Sequence, residues 1–233
     1  MEFSRRHFIG AAFAATVGAT TASCVSAPRQ LAVSGPMPAP PVPADEPPAA
    51  AEPAPEAVAR ADLPPLVAEA LAALEIHGAR IVHHDRIGLV DFTMPSREPR
   101  FHLVNVASGR IERSWLVSHG SGSDPAATGM LHRFSNVPGS NASSRGAYLT
   151  SNTYFGKHGR SQRLIGLDPT NNLALDRAIV VHGADYVDPG MIASMGRIGR
   201  SQGCFAFEQR EVATVIGELG EGRMIYASRL ENG

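Results

Sequence analysis

The sequence predicts a mainly β domain, built as a β-sandwich or a mixed sheet with a few helices, in the C-terminal two-thirds of the chain. Short apolar runs recur there, and Gly, Pro, Ser and Asn separate them, which is typical of strands joined by turns. Helical periodicity occurs in two places, and we find no internal repeat. A chain of 233 residues, 43% of them hydrophobic, is long enough for one domain with a true core.

The individual elements follow from local patterns. A helix is predicted from Leu66, because Pro64 and Pro65 precede its apolar stripe and His77 and Gly78 end it. A second helix is predicted over 208–219, before Gly220, and a hairpin turn over 107–110. A long loop runs from 118 to about 147. The predicted strands are Ile87 to Met94, Phe101 to Val106, Ile111 to Val117, Ala147 to Tyr154, Ala178 to His182 and Arg223 to Ala227.

The first 27 residues are typical of an export signal and do not belong to the domain. Arg5 and Arg6 precede an apolar run that Gly10 and Gly18 interrupt, and this pair resembles a twin-arginine signal. The alternative is a general secretory signal with a chance arginine pair. Either signal predicts that the mature protein works in the periplasm or cell envelope.

Cys24 is a candidate lipidation site, because Ser23-Cys24 resembles the processing site of bacterial lipoproteins. Thr21 stands where that motif usually has Leu, so removal of Cys24 together with the signal stays open. Acylation would provide a lipid anchor in a membrane. Residues 28–65 hold 12 of the 18 prolines and are predicted to form a linker, which leaves 66–233 as the folded domain.

Composition and motifs argue against several classes of function. Lys plus Arg total 21 and Asp plus Glu total 22, which is not the basic balance that nucleic-acid binding needs. No run of eighteen apolar residues predicts a conventional spanning helix. The chain has nine histidines but neither His-Glu-x-x-His nor paired Cys-x-x-Cys, so we expect no metal and no cofactor.

The domain has a single cysteine, Cys204, which lies among small and polar residues in the segment 200–204. An intramolecular disulfide is therefore excluded, and the thiol is either a core residue or a nucleophile. His182 ends an apolar strand and is followed by Gly183, which suits a base that acts on a thiol. The two side chains together predict nucleophilic catalysis by cysteine.

These residues resemble the signature of the YkuD-type L,D-transpeptidases of bacterial cell-wall synthesis, in which His-Gly is followed, after a loop, by Ser/Thr-x-Gly-Cys. The match is His182-Gly183 and Ser201-Gln202-Gly203-Cys204. From about Asp91 to Ala227 the chain also resembles the murein L,D-transpeptidase catalytic domains, through Phe134-Ser135-Asn136, Gly139-Ser140-Asn141, Ser143-Ser144, Gly156-Lys157-His158-Gly159 and Leu167-Asp168-Pro169-Thr170-Asn171. Two features depart from the family: Gln202 stands where most members have a second His, and 205–207 reads Phe-Ala-Phe.

The resemblance implies the L,D-transpeptidase catalytic fold and a peptidoglycan L,D-transpeptidase activity. Cys204 would attack the carbonyl after the L-centre of diaminopimelate in a tetrapeptide stem, release D-Ala and leave a thioester that an acceptor amine resolves. His182 would move protons, the Gly183 carbonyl would fix its tautomer, and the N–H groups of Gly203 and Cys204 would donate to the oxyanion. Peptidoglycan stem peptides are then the substrates, and carbapenem-type inhibitors are expected to react.

The distribution of charge supports binding of an anionic substrate. No acidic residue lies between Asp124 and Asp168, or over 189–207, although both intervals contain basic residues. Cations around the thiol would bind stem carboxylates and favour the thiolate. The predicted substrate-binding residues are Ser201, Arg200, Ser144, Tyr148, Lys157, His158, Arg133 and Arg163.

Two other functions stay open on the sequence. Water as the acceptor would make the protein an L,D-carboxypeptidase, and the Gln202 departure allows a wall-binding lipoprotein that catalyses nothing. A papain-like enzyme is disfavoured because its Cys would precede its His in the chain. A sortase is disfavoured because its Arg would lie on the strand after Cys204, where this chain has the apolar run 205–207.

Overall fold

The computed structural model describes residues 63–231, which form one eight-stranded sheet and three α-helices. The predicted export signal, Cys24 and nearly all of the predicted linker lie outside the described residues. The helices are α1 (Pro65–His77), α2 (Pro189–Met195) and α3 (Val212–Leu219). The strands are β1 (Arg86–Asp91), β2 (Phe101–Asn105), β3 (Ile111–Trp115), β4 (Gly146–Gly156), β5 (Gly159–Gly166), β6 (Val180–Gly183), β7 (Phe205–Phe207) and β8 (Met224–Ser228).

The sheet is mixed, with the strand order β3-β2-β1-β8-β4-β5-β6-β7. Most neighbours are antiparallel, and the parallel pairs are β1 with β8 and β6 with β7. In the second pair His182 lies opposite Ala206, so Cys204 comes just before the edge strand that flanks the histidine. The mainly β fold predicted from the sequence is confirmed, in its mixed-sheet form.

Alternate residues of the central strands belong to two separate apolar cores, as expected for side chains that point to opposite faces of a sheet. Ile87 and Leu89 pack with α1 in one core, while Val90 packs with α3 in the other. The first turn of α1 contains Pro65, whose fixed φ is preorganised for a helix start. In the described part of the chain, no helix is long and apolar enough to cross a membrane.

The predicted turn at 107–110 joins β2 to β3, and Gly109 has the positive φ of 67° that this turn requires. The long loop predicted from 118 is also present, as irregular chain with one short 3-10 turn at Ser121–Ser123. α3 begins at Val212 and not at 208, because 208–211 form a separate turn closed by the Glu211 N–H donating to the Glu208 carbonyl at 3.0 Å.

Three elements, β5, β7 and α2, are absent from the prediction. β5 carries polar side chains that break the apolar pattern expected of a strand, and the one at Gln162 is fully buried. Its amide nitrogen donates to the carbonyls of Ser151 and Gly220, at 3.2 and 2.6 Å, which satisfies both N–H groups inside the core, whereas its Oε1 has no partner among the described residues. β7 is only three residues long and is stabilised by its pairing with β6, which no local pattern reveals.

Candidate active site

A cavity of about 620 Å³ lies between the ends of β6 and β7, the β4–β5 hairpin and the loop around 138–141. Cys204 and His182 both line it, so the fold brings together the two residues predicted to be catalytic. Four of the predicted substrate-binding residues line it as well, namely Arg200, Ser201, Lys157 and His158. The described part of the chain holds no group of three His, Cys, Asp or Glu side chains arranged for a metal ion.

The turn 201–204 is closed by hydrogen bonds of the Ser201 hydroxyl. The Ser201 hydroxyl donates to the Cys204 carbonyl at 2.7 Å and accepts the Gly203 N–H at 3.1 Å. Gly203 has a φ of 112°, and a Cβ at this position would lie 2.7 Å from the Ala142 carbonyl oxygen, so glycine is required here. The Gly203 N–H is engaged by Ser201 in the resting structure, so of the two predicted oxyanion donors the Cys204 N–H is the one we carry into the proposed mechanism, and the role of Gly203 stays a prediction.

The thiol of Cys204 donates to the Ala178 carbonyl at 3.5 Å. Ala178 has a φ of 53°, which is uncommon for a residue other than glycine and is typical of strained sites. Burial raises the pKa of the Cys204 thiol, although backbone N–H groups and the charges of Arg177 and Lys157 lower it. The cations therefore favour the thiolate as expected, but the loss of hydration on burial outweighs them, so the thiol of the resting protein is protonated.

His182 is fixed by its neighbour in the chain. Its Nδ1 lies 2.8 Å from the Gly183 carbonyl oxygen, so a neutral ring donates from Nδ1 and keeps Nε2 free to accept a proton. Burial lowers the pKa of His182, and the charges of His158 and Lys157 lower it further, while the Gly183 carbonyl opposes them. His182 is consequently neutral at neutral pH, in the form that can act as a base.

A second imidazole lies against the first. The rings of His158 and His182 are stacked, with centroids 4.3 Å apart and planes inclined by 27°. His158 lies in the turn between β4 and β5, so the hairpin supplies an imidazole to the cavity although Gln202 replaces the histidine that most family members have before the nucleophile.

Two predicted substrate-binding residues are wrong because they are buried. Tyr148 is fully buried on β4, and its hydroxyl donates to the Ser144 carbonyl at 2.8 Å. Ser144 is also buried, and its hydroxyl donates to the Ser135 carbonyl at 3.0 Å. Neither side chain can contact a substrate, and both instead fix the loop that forms one wall of the cavity.

Two predicted arginines lie outside the residues that line the cavity. Arg133 is exposed, and its Nε donates to the Gly122 carbonyl at 2.8 Å. Arg163 lies with its guanidinium carbon 4.1 Å from the centre of the Tyr154 ring. Arg200 does line the cavity, but its guanidinium donates to the Asp124 carbonyl. Of the predicted cations, Lys157 is therefore the one whose side chain is most available to a substrate.

Sequence reasoning missed Arg177, which lies three residues before β6 and lines the cavity. Its guanidinium donates to the Ser135 carbonyl at 2.9 Å and also to Ser144 Oγ and the Ala142 carbonyl. A Cβ on Gly203 would lie 3.2 Å from this guanidinium, which places the charge against the turn 201–204. The sequence does show a basic residue next to the strand that carries His182. The residues that the Arg177 guanidinium contacts, however, are more than thirty residues away in the chain.

We expect Arg177→Gln to slow the alkylation of Cys204 by iodoacetamide about tenfold near neutral pH. The guanidinium lowers the pKa of the thiol, so its removal raises that pKa and reduces the thiolate fraction. Measured against pH, the rates of variant and wild type should converge at high pH, where both thiols are ionised. Arg177→Lys keeps the charge and should retain most of the rate.

The control is Arg133→Gln, which removes an exposed arginine outside the cavity and should leave the alkylation profile unchanged. Equal profiles for folded Arg177→Gln and wild type would show that this charge does not act on the thiol.

Comparison with known proteins identifies the family. The model of the L,D-transpeptidase catalytic domain family matches residues 63–228, which is most of the chain. The protein therefore belongs to the L,D-transpeptidase catalytic domain family, as the His-Gly and Ser-x-Gly-Cys signature indicated. A comparison with curated proteins gives no match.

Several solved structures are similar to this chain. An L,D-transpeptidase from Mycobacterium smegmatis is 15% identical over 62% of this chain and 58% of its own, with a TM-score of 0.38. The helical cell shape determining protein Pgp2 from Campylobacter jejuni is 11% identical over 70% and 54%, with a TM-score of 0.41. L,D-transpeptidase 3 from Mycobacterium tuberculosis, solved with a faropenem-derived adduct, is 11% identical over 62% and 60%, with a TM-score of 0.38. The matched part spans less than two-thirds of each of these solved chains.

Proposed function

We propose that the protein is a peptidoglycan L,D-transpeptidase that works by cysteine acyl transfer. The observation that carries this proposal is that one cavity holds both Cys204 and a neutral His182 whose Nδ1 is engaged by the Gly183 carbonyl. The family supports the same reaction class. The donor is a tetrapeptide stem of peptidoglycan, and the acceptor is the amine of a second stem.

Acylation begins from a neutral pair, because the thiol is protonated and the imidazole is not. His182 Nε2 takes the proton of Cys204 as the sulfur attacks the carbonyl after the L-centre of diaminopimelate. The Cys204 N–H donates to the resulting oxyanion. When the C–N bond breaks, His182 returns the proton to the amine of D-Ala, and a thioester remains on Cys204.

The thiol must leave its contact with the Ala178 carbonyl to reach His182, since no hydrogen bond joins the two side chains in the described structure. A rotation about the Cys204 side chain suffices for such a change, and apo sites often show catalytic pairs that tighten only with substrate. Lys157 contributes a cation to the cavity that a donor carboxylate can contact.

The acceptor decides between two outcomes. An amine that attacks the thioester forms a cross-link, whereas water gives a tripeptide and makes the protein an L,D-carboxypeptidase. Carbapenems should acylate Cys204, because the thiol can attack their strained lactam carbonyl as it attacks the carbonyl of the stem peptide. The substrate requires a location in the cell envelope, which an export signal at 1–27 and lipidation of Cys24 would provide.

The test is to incubate the purified full chain with disaccharide-tetrapeptide and to analyse the products by mass spectrometry, beside Cys204→Ala. We expect cross-linked dimers and released D-Ala from the wild type, and neither from the variant. Tripeptide without dimers would identify the carboxypeptidase. An untouched muropeptide, together with no carbapenem adduct on Cys204, would overturn the proposed activity and favour the wall-binding protein.

A further inference from the structure

The charges around the cavity are unevenly distributed. Three cationic side chains line it, those of Lys157, Arg177 and Arg200, together with the two histidines 158 and 182. Asp176 is the one acidic residue among the lining side chains. Asp176 repels the carboxylates of a stem peptide, so binding of those carboxylates alone does not explain its presence in the cavity.

The neighbouring cations do not neutralise Asp176. Arg177, next to it in the chain, directs its guanidinium to Ser135, Ser144 and the Ala142 carbonyl. Arg200 is engaged by the Asp124 carbonyl. Within residues 63–231 Asp176 has neither a hydrogen bond nor an ion pair, and it is exposed, so its charge is available to a ligand.

The backbone that carries Asp176 is held on both sides. The Arg177 N–H donates to the Leu173 carbonyl at 2.8 Å, and the Ala178 N–H donates to the Leu175 carbonyl at 3.0 Å. The Ala178 carbonyl in turn accepts the Cys204 thiol at 3.5 Å. Since consecutive Cα atoms lie 3.8 Å apart, the Cα of Asp176 is within about 7 Å of that of Ala178. The backbone that carries this carboxylate is therefore anchored close to the thiol of Cys204.

We propose that Asp176 forms the subsite for the acceptor amine, which it binds as an ammonium ion at the mouth of the cavity. This inference rests on the proposed transpeptidase function and adds the side from which the acceptor enters. Lys157 supplies a positive charge that a stem carboxylate can contact, and Asp176 supplies, in the same cavity, a negative charge that the ammonium of the acceptor can contact.

The chemical step balances without any further reactant. The bound ammonium loses one proton to water, and the neutral amine attacks the thioester carbonyl. His182 takes a second proton from the attacking nitrogen and delivers it to the sulfur of Cys204 as the C–S bond breaks. The products are an amide cross-link and the free thiol. Water, the competing acceptor, carries no charge and gains nothing from Asp176.

The experiment compares wild type and Asp176→Asn as full chains, with disaccharide-tetrapeptide as both donor and acceptor. Mass spectrometry gives the ratio of cross-linked dimer to tripeptide, and D-Ala release and carbapenem acylation report the first half-reaction. We expect the ratio to fall about three- to fivefold, as the loss of one exposed ion pair predicts. The rate at which the first equivalent of D-Ala is released and the rate of carbapenem acylation should both stay at the wild-type value.

Asp185→Asn is the matched control, because Asp185 is an exposed aspartate outside this cavity and should leave the ratio unchanged. Asp176→Lys reverses the charge and should lower the ratio further than Asp176→Asn. An unchanged ratio in Asp176→Asn would overturn the acceptor subsite alone, whereas a wild type that forms only tripeptide would identify a carboxypeptidase and overturn both the subsite and the transpeptidase. A wild type that releases no D-Ala and takes no carbapenem would overturn the proposed function as well.

Discussion

Replacing His182 by Gln is expected to slow the acylation of Cys204 by a carbapenem about 10²- to 10⁴-fold. Glutamine is close to histidine in size and polarity, but it cannot take the thiol proton. The loss should be large because burial raises the pKa of the Cys204 thiol, so little thiolate is present without a base. Acylation is measured by the loss of lactam absorbance and by the mass of the adduct.

The pH profile gives this prediction a second readout. Burial lowers the pKa of His182, so the neutral base persists to lower pH than for an exposed histidine. Acylation of the wild type should fall only as the pH drops through that lowered pKa, and His182→Gln should lack this limb. His102→Gln is the control, since that ring lies on β2 and contacts Ser114 Oγ at 2.7 Å. A His182→Gln rate within threefold of the wild type would exclude His182 as the base.

Replacing Arg100 by Met is expected to lower the free energy of unfolding by about 3 to 5 kcal/mol. Arg100 is fully buried, and its guanidinium donates to the carbonyls of Val117 at 3.1 Å and Met94 at 3.0 Å. Its third contact is His119 Nδ1, at 2.6 Å. Burial lowers the pKa of His119 to about 3, so this ring is neutral and accepts the hydrogen bond from the arginine. Methionine would leave all three acceptors buried without a donor.

Urea unfolding followed by the fluorescence of Trp115, the single tryptophan, measures the change. Arg97→Met is the matched control, because Arg97 is exposed and its ion pair with Glu98 is 3.5 Å long, so we expect a change within about 0.5 kcal/mol. A loss below about 1 kcal/mol in Arg100→Met would contradict the prediction, since that is the value of one ordinary hydrogen bond.

The buried cluster around Arg100 and His119 also supports the turn 201–204, which carries Cys204. The Ser201 N–H donates to the His119 carbonyl at 2.9 Å, and the Ser121 N–H donates to the Ser201 carbonyl at 2.8 Å. The segment that contains His119 is thus paired with the residues just before Cys204. Destabilisation at Arg100 is therefore expected to reach the active site through this pairing.

Elements with a strong local pattern follow from the sequence. α1 begins at Pro65, the second proline of the pair, and ends at His77, just before Gly78, and β1 and β2 begin within one residue of their predicted starts. β5 and β7 do not follow from the sequence, because β5 begins with a run of polar side chains over 160–163 and β7 is too short to show a period. Both are stabilised by partners elsewhere in the sheet.

The site residues also divide into those that the sequence predicts and those whose place only the fold decides. His182 and Cys204 are recognisable in the sequence because their chemistry lies in short motifs, His-Gly and Ser-x-Gly-Cys, within a few residues of each side chain. Tyr148 and Ser144 lie in segments that resemble the family and are nevertheless buried, since exposure depends on which face of β4 and of its preceding loop meets the core.

By itself, the sequence determined the mainly β fold, the family and the two residues at the centre of the proposed chemistry. Only the tertiary structure decided which charges surround them. The Arg177 guanidinium is held near the turn 201–204 by hydrogen bonds to a loop more than thirty residues earlier. Asp176 lines the cavity because the neighbouring Ala178 carbonyl accepts the Cys204 thiol. Such contacts depend on distances in space between segments remote in the chain, and no spacing along the sequence encodes them.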